Sequence, residues 1–90
     1  MSNLILEKVK AGAKIVDVRT VDEFRDGAYP GAVNIPVSEL GARLAEVPKN
    51  VPVILYCASG ARSSAAAQLL RRSGYADVVN AGGLADMPMS

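Results

Sequence analysis

The chain has no histidine and no tryptophan, one cysteine, one phenylalanine and three tyrosines. Each scarcity excludes some chemistry. A single cysteine rules out an intrachain disulfide. Without histidine there is no Cys-His dyad, no Ser-His-Asp triad, no His-ligated metal and no imidazole proton shuttle. A reactive cysteine in this chain therefore needs its thiolate held by backbone dipoles and arginine, in a reaction that requires no strong general acid. No block of like charge occurs either. Ten basic and nine acidic residues are interspersed and leave a net charge of +1, so nothing marks a nucleic-acid or membrane surface. Leu4-Ile5-Leu6 is the only apolar stretch near the N-terminus, too short for a signal peptide or a membrane span. The expected location is the cytoplasm. No cofactor or metal is expected, and a monomer is.

What is present is a chain of 90 residues, half of them hydrophobic. That is enough for one small domain, spanning 1–90. Its organising stretch is Cys57-Ala58-Ser59-Gly60-Ala61-Arg62-Ser63-Ser64. An apolar run, Val51 to Tyr56, leads in, and a helix-like run, Ser64 to Ser73, leads out. A strand, a short glycine-bearing loop and a helix aim several N–H groups over the first loop residue. Such a cradle binds anions. With cysteine in that position, it favours the thiolate, which is the reactive form.

The remaining chain alternates helices and strands. Asn3 to Lys10 reads as a helix with Asn3 as N-cap, and with Leu4, Ile5 and Val9 facing the core. Ala13 to Val18 reads as a buried strand, and Asp17 and Arg19 project to one side if it continues to Arg19. Thr20-Val21-Asp22-Glu23 has the form of a capping box. Asp17 and Glu23 are assigned to support of this turn, whereas Arg19 suits either support or substrate contact. Asp26 to Gly31 is a turn-rich loop in which Tyr29 serves as a partly buried anchor. Ala32 to Ile35 reads as a short strand. A helix over Glu39 to Glu46 is capped by Ser38 and weakened by Gly41, roughly 1 kcal/mol worse than alanine there. Val53 to Tyr56 is apolar and β-branched, which suits a central strand. After the loop, Ala65, Ala66, Leu69 and Leu70 would face the sheet. Ala76 to Val79 is a last strand, and Gly82-Gly83 turns the chain. This alternation gives an α/β fold with a parallel sheet, whose carboxyl edge carries both Arg19 and Cys57.

Three stretches carry a family resemblance. Cys57-x-x-Gly60-x-Arg62-Ser63 resembles the active-site loop of single-domain rhodaneses, the thiosulfate sulfurtransferases. Val16-Asp17-Val18-Arg19 with Glu23-Phe24 is similar to the family's N-terminal signature, and Gly27-Ala28-Tyr29-Pro30-Gly31-Ala32-Val33-Asn34-Ile35-Pro36 to its second signature. Asn80-Ala81-Gly82-Gly83-Leu84 is similar to the phage-shock-protein E subgroup. That branch is usually exported, so a trimmed mature form would place the chain in the periplasm. Two departures stand out. Ala28 and Tyr29 occupy the region where the family often has a histidine. Many relatives finish with a full helix, often bearing a tryptophan, whereas this chain has no tryptophan and Pro88 disfavours a regular helix, so a reduced C-terminal cover is expected. The resemblance implies a rhodanese-like three-layer fold, a central parallel sheet of about four to five strands with helices on both faces. It also implies a reaction. Cys57 would take the outer sulfur of thiosulfate as a persulfide and pass it to cyanide, a small thiol or a thioredoxin-like acceptor. Arg62 would hold the sulfonate, or else form a salt bridge to Asp17 or Glu23. Ala58, Ser59, Gly60 and Ala61 would supply N–H groups. The Ser59 and Ser63 hydroxyls would donate hydrogen bonds, unless Ser63 is only the helix N-cap.

Two other readings remain open. A phosphatase or arsenate reductase shares the implied fold, but those enzymes resemble Cys-x5-Arg. Here Cys57 and Arg62 are one residue closer, which crowds a tetrahedral phosphate. A non-catalytic persulfide carrier or binding module would keep the same loop.

Overall fold

The computed structural model describes residues 3–88, with side chains from residue 4 onward. Four parallel strands form one sheet in the order β2-β1-β3-β4: β1 is Lys14–Asp17, β2 Val33–Asn34, β3 Val53–Cys57 and β4 Val78–Gly83. Helix α1 (Asn3–Lys10) precedes β1, α2 (Val21–Arg25) follows it, α3 (Val37–Leu40) follows β2, and α4 (Ala61–Arg72) joins β3 to β4. Among the described residues no helix is long and apolar enough to cross a membrane.

Side chains on a strand alternate between faces, and β3 shows what this does to the core. Val53, Leu55 and Cys57 join Val16, Leu40, Ala66, Ala67 and Leu70 in one cluster. Ile54 and Tyr56 join Ile15 and Met87 in the other, covered by Ile5, Val9 and Tyr29. Helices thus lie on both faces of the sheet, as expected, and Cys57 belongs to the face under α4. Parallel strands buried on both faces read as unbroken apolar runs, and all five residues of β3 are buried.

Strand order reverses direction between β1 and β3. From β1 the chain crosses outward to β2; from β3 it crosses the other way to β4. The crevice beyond the carboxyl ends of two such strands is where open α/β sheets bind ligands. Arg19 follows β1 and Cys57 ends β3, so both lie at this crevice.

Several local expectations need correction. Leu4 is 60% exposed rather than core-facing, while the N-cap role expected of the Asn3 side chain lies outside the described residues. The helix expected at Glu39 begins earlier, at Val37 after Pro36, so Ser38 lies inside it and no side chain caps it. Proline's fixed φ suits the entry to a helix. From Gly41 to Glu46 the chain continues as a 3-10 helix broken at Arg43. Helix α4 starts at Ala61, three residues sooner than expected, and its buried positions are Ser63, Ala66, Ala67 and Leu70. Ala65 is exposed and Leu69 half-buried, because the earlier start brings Ser63 onto the inner face. The last strand does not end at Val79. It runs through Gly82-Gly83 with one extra residue, as Leu55 pairs with Asn80 but Cys57 with Gly83. Gly82, at φ +96°, takes the left-handed conformation that this bulge requires.

Candidate active site

Cys57 is the last residue of β3 and only 1% exposed. The chain leaves it over Ala58 and Ser59, both exposed, and turns at Gly60. Gly60 is the N-cap of α4 at φ +103°, and no side chain caps the helix. The left-handed turn folds the loop back, so that N–H groups at the start of α4 point at the sulfur. The Gly60 N–H donates to Cys57 Sγ at 3.0 Å and the Ser63 N–H at 3.4 Å. Ser63 is therefore not the N-cap. Its hydroxyl lies 3.4 Å from Sγ. Burial pushes the thiol up. Hydrogen bonds from the Ser63 hydroxyl and from the N–H groups of Ser63, Gly60 and Ser59 outweigh it and hold the group down at about 7. The donors around Sγ thus favour the thiolate without a histidine.

The expected arginines are both present at the crevice, and both are paired. Arg62 Nη1 and Nη2 donate to Glu23 Oε1 and Oε2 at 2.7 and 3.0 Å, a bidentate bond that ties α4 to α2. This selects Glu23 over Asp17 as the Arg62 partner. The Arg62 side chain keeps 37% of its surface exposed. Glu23 is held down at about 2, first by Arg62 and then by the Thr20 N–H. The same carboxylate completes the expected capping box: Glu23 Oε1 accepts from the Thr20 N–H, and Thr20 Oγ1 accepts from the Glu23 N–H. Arg19 is buried on Asp17, with Nε at 2.9 Å from Oδ1 and Nη2 at 2.6 Å from Oδ2. Nη2 also donates to the Gly27 carbonyl, at 2.8 Å. This pair closes the turn after β1 and fastens it to the loop beyond α2. The guanidinium of Arg19 sits 5.5 Å from the centre of the Tyr56 ring.

Behind the loop stand residues that the sequence reading did not single out for chemistry. Asn80 Oδ1 accepts from the Ser63 hydroxyl at 2.6 Å and from the Gly82 N–H at 2.9 Å, and Asn80 Nδ2 donates to the Gly60 carbonyl at 3.3 Å. Gly83 pairs with Cys57 across the sheet, and a Cβ there would overlap the Ala58 carbonyl oxygen. Its N–H donates to Asp86 Oδ2 at 2.8 Å. The usable signal was a polar residue and two glycines ending a strand that faces the loop. The anchor role of Tyr29 holds: its N–H donates to the Tyr56 hydroxyl at 3.0 Å, and its own hydroxyl to the Pro88 carbonyl at 2.8 Å.

A cysteine at a strand end under converging N–H donors is the arrangement that the sequence motifs anticipate. The family model of the rhodanese-like domain matches residues 3–86. The chain belongs to the rhodanese family. Relatives within the family agree with this over most of its length. The thiosulfate sulfurtransferase PspE of Escherichia coli (strain K12) is 42% identical over 76 residues, which cover 82% of this chain and 73% of PspE. YqhL of Bacillus subtilis (strain 168) is 42% identical over 83 residues, which cover 89% of this chain but 66% of YqhL. Among solved structures, a rhodanese from E. coli, described with anions, superimposes with a TM-score of 0.81 at 37% identity, covering 88% of this chain and 95% of that one. This rhodanese domain therefore shares its fold and the phage-shock-protein E type of sequence with sulfur-handling relatives.

Proposed function

We propose that the protein, one rhodanese-like domain over 1–90, is a thiosulfate sulfurtransferase that works through a Cys57 persulfide. The observation that carries the reading is the Cys57 sulfur held by the Gly60 and Ser63 N–H groups at the carboxyl edge of the sheet. The Cys57 thiolate attacks the outer sulfur of thiosulfate. The S–S bond of thiosulfate breaks, sulfite leaves with the bonding pair, and the sulfur remains on Cys57 as a persulfide anion. Sulfite needs no proton to leave, which suits a site without a general acid. Cyanide or a thiolate then attacks the outer sulfur, forming thiocyanate or a new persulfide, and returns Cys57 as thiolate. This is ping-pong covalent catalysis.

The loop N–H groups of Ala58, Ser59, Gly60 and Ala61 form the anion cradle in this reading, with the Ser59 and Ser63 hydroxyls as further donors. Arg62 contributes a partly exposed guanidinium to the sulfonate and shares it with Glu23. Arg19 and Asp17 hold the turn beside it. That PspE is a thiosulfate sulfurtransferase, and that the E. coli rhodanese is described with anions, supports thiosulfate as donor. A small thiol or a thioredoxin-like protein is the proposed acceptor in the cytoplasm, or in the periplasm for an exported form, with the protein acting as a monomer. The test is steady-state formation of thiocyanate from thiosulfate and cyanide. The reading expects parallel double-reciprocal lines and complete loss of turnover in Cys57→Ser. Absence of turnover in folded, reduced protein would refute it and favour a carrier loaded by another persulfide.

A further inference from the structure

Four atoms surround Ser63 Oγ: Asn80 Oδ1 at 2.6 Å, the Gly60 carbonyl at 3.2 Å, the Gly82 carbonyl at 3.3 Å and Cys57 Sγ at 3.4 Å. The three oxygens only accept, and the hydroxyl has one proton to give. The Asn80 amide is oriented by its other partners, since Oδ1 also accepts from the Gly82 N–H while Nδ2 donates to the Gly60 carbonyl. The shortest contact therefore sends the Ser63 proton to Asn80. With Cys57 as thiol this is self-consistent, because S–H donates to the Ser63 lone pair that faces it. With Cys57 as thiolate it is not. A lone pair would face a negative sulfur unless the hydroxyl turned away from Asn80 and gave up its 2.6 Å bond.

We propose that Asn80 is a positioning residue of the site: its side-chain carbonyl claims the Ser63 proton and so limits how strongly the loop stabilises the Cys57 thiolate. This rests on Cys57 as the reacting sulfur. The consequence runs in the direction of the reaction. A less stabilised thiolate is a stronger nucleophile. Once the persulfide has formed, the charge sits on the outer sulfur, Sγ no longer needs the hydroxyl, and the proton returns to Asn80. The charged groups around the loop are Asp17 and Arg19 beyond β1, Glu23 on α2, Arg62 on α4 and Asp86 after β4. All five have partners of their own, and none bonds to Asn80.

The experiment is the rate of iodoacetamide alkylation against pH, which reports Cys57 alone because the chain has one cysteine. Asn80 is exposed on an edge strand, a position that tolerates substitution. Asn80→Leu removes the acceptor and keeps water from replacing it. The expected result is a midpoint lowered by about half to one pH unit, the size of one hydrogen bond, with slower alkylation of the fully formed thiolate. Ser63→Ala raises the midpoint, and in that background Asn80→Leu no longer moves it. Asn80→Ala shifts it in the same direction by less, and decides by the same criterion if the leucine variant does not fold. A midpoint raised by Asn80→Leu, or moved equally in both backgrounds, would mean that Asn80 only holds Gly60 and Gly82 in place and would overturn the proposal. No sulfur donor takes part, so a failure here and a failure of the sulfurtransferase reading are separately visible.

Discussion

Replacing Gly83 with alanine tests the rigidity of the loop by sterics alone. Gly83 has φ −101° and ψ 171°, extended backbone that alanine adopts freely. The added methyl nevertheless overlaps the Ala58 carbonyl oxygen. That oxygen belongs to the Ala58–Ser59 peptide, inside the loop that carries the Gly60 N–H onto Cys57, so it cannot retreat without tilting the loop. Overpacking of this kind costs about 1–3 kcal/mol. The lower conformational freedom of alanine in the unfolded chain offsets about 0.4–1 kcal/mol. A net destabilisation of about 1–2 kcal/mol is expected, read from the urea midpoint. The second readout is chemical. Tilting the Ala58 peptide lengthens the 3.0 Å bond from the Gly60 N–H to Sγ, so the Cys57 alkylation midpoint rises from about 7 toward the ~8.5 of free cysteine. A Gly83→Ala protein as stable as the parent, with an unchanged midpoint, would refute the claim that β4 buttresses the nucleophile loop.

Glu23→Gln keeps a capping-box side chain but removes the charge opposite Arg62, so the KM for thiosulfate should fall several-fold while kcat changes little; an unchanged KM would exclude Arg62 as the sulfonate partner. The same carboxylate makes stability depend on pH. Its pKa is lowered in the fold from 4.5 to about 2, so its contribution is fully present above about 4.5 and is lost as pH falls toward 2. Acid unfolding of Glu23→Gln should accordingly be less steep over that window than that of the parent. Aryl phosphate hydrolysis should be undetectable, because the loop is one residue shorter than a Cys-x5-Arg phosphate cradle; turnover that Cys57→Ser abolishes would reverse this.

The parts of the site that were legible in the sequence are those whose chemistry is local. Thr20 and Glu23 stand three apart and form the expected box. Asp17 ends β1, Arg19 stands two residues on in the turn after it, and the two meet. Cys57, Gly60 and Ser63 lie within one turn of a helix start. What escaped the sequence depends on register and on approach between distant segments. Ser63 read equally well as a cap because the start of α4 was placed three residues late, and that start depends on Gly60 adopting a left-handed φ. Asn80 and Gly83 gain meaning only because one extra residue in β4 sets them against the loop. Gly82-Gly83 on its own reads as a turn. The same limit applied to the inner face of α4, where alanines on both sides of the helix left the choice between Ala65 and Ala67 to the sheet.

The central claim is that Cys57 carries the sulfur in transit, and intact-protein mass spectrometry tests it most directly. The reduced protein is incubated with thiosulfate, measured, then treated with cyanide and measured again. The account predicts a gain of one sulfur atom in the mass of the chain, its complete loss on cyanide treatment, and no gain in Cys57→Ser. Folded, reduced protein that keeps its original mass in thiosulfate would contradict it.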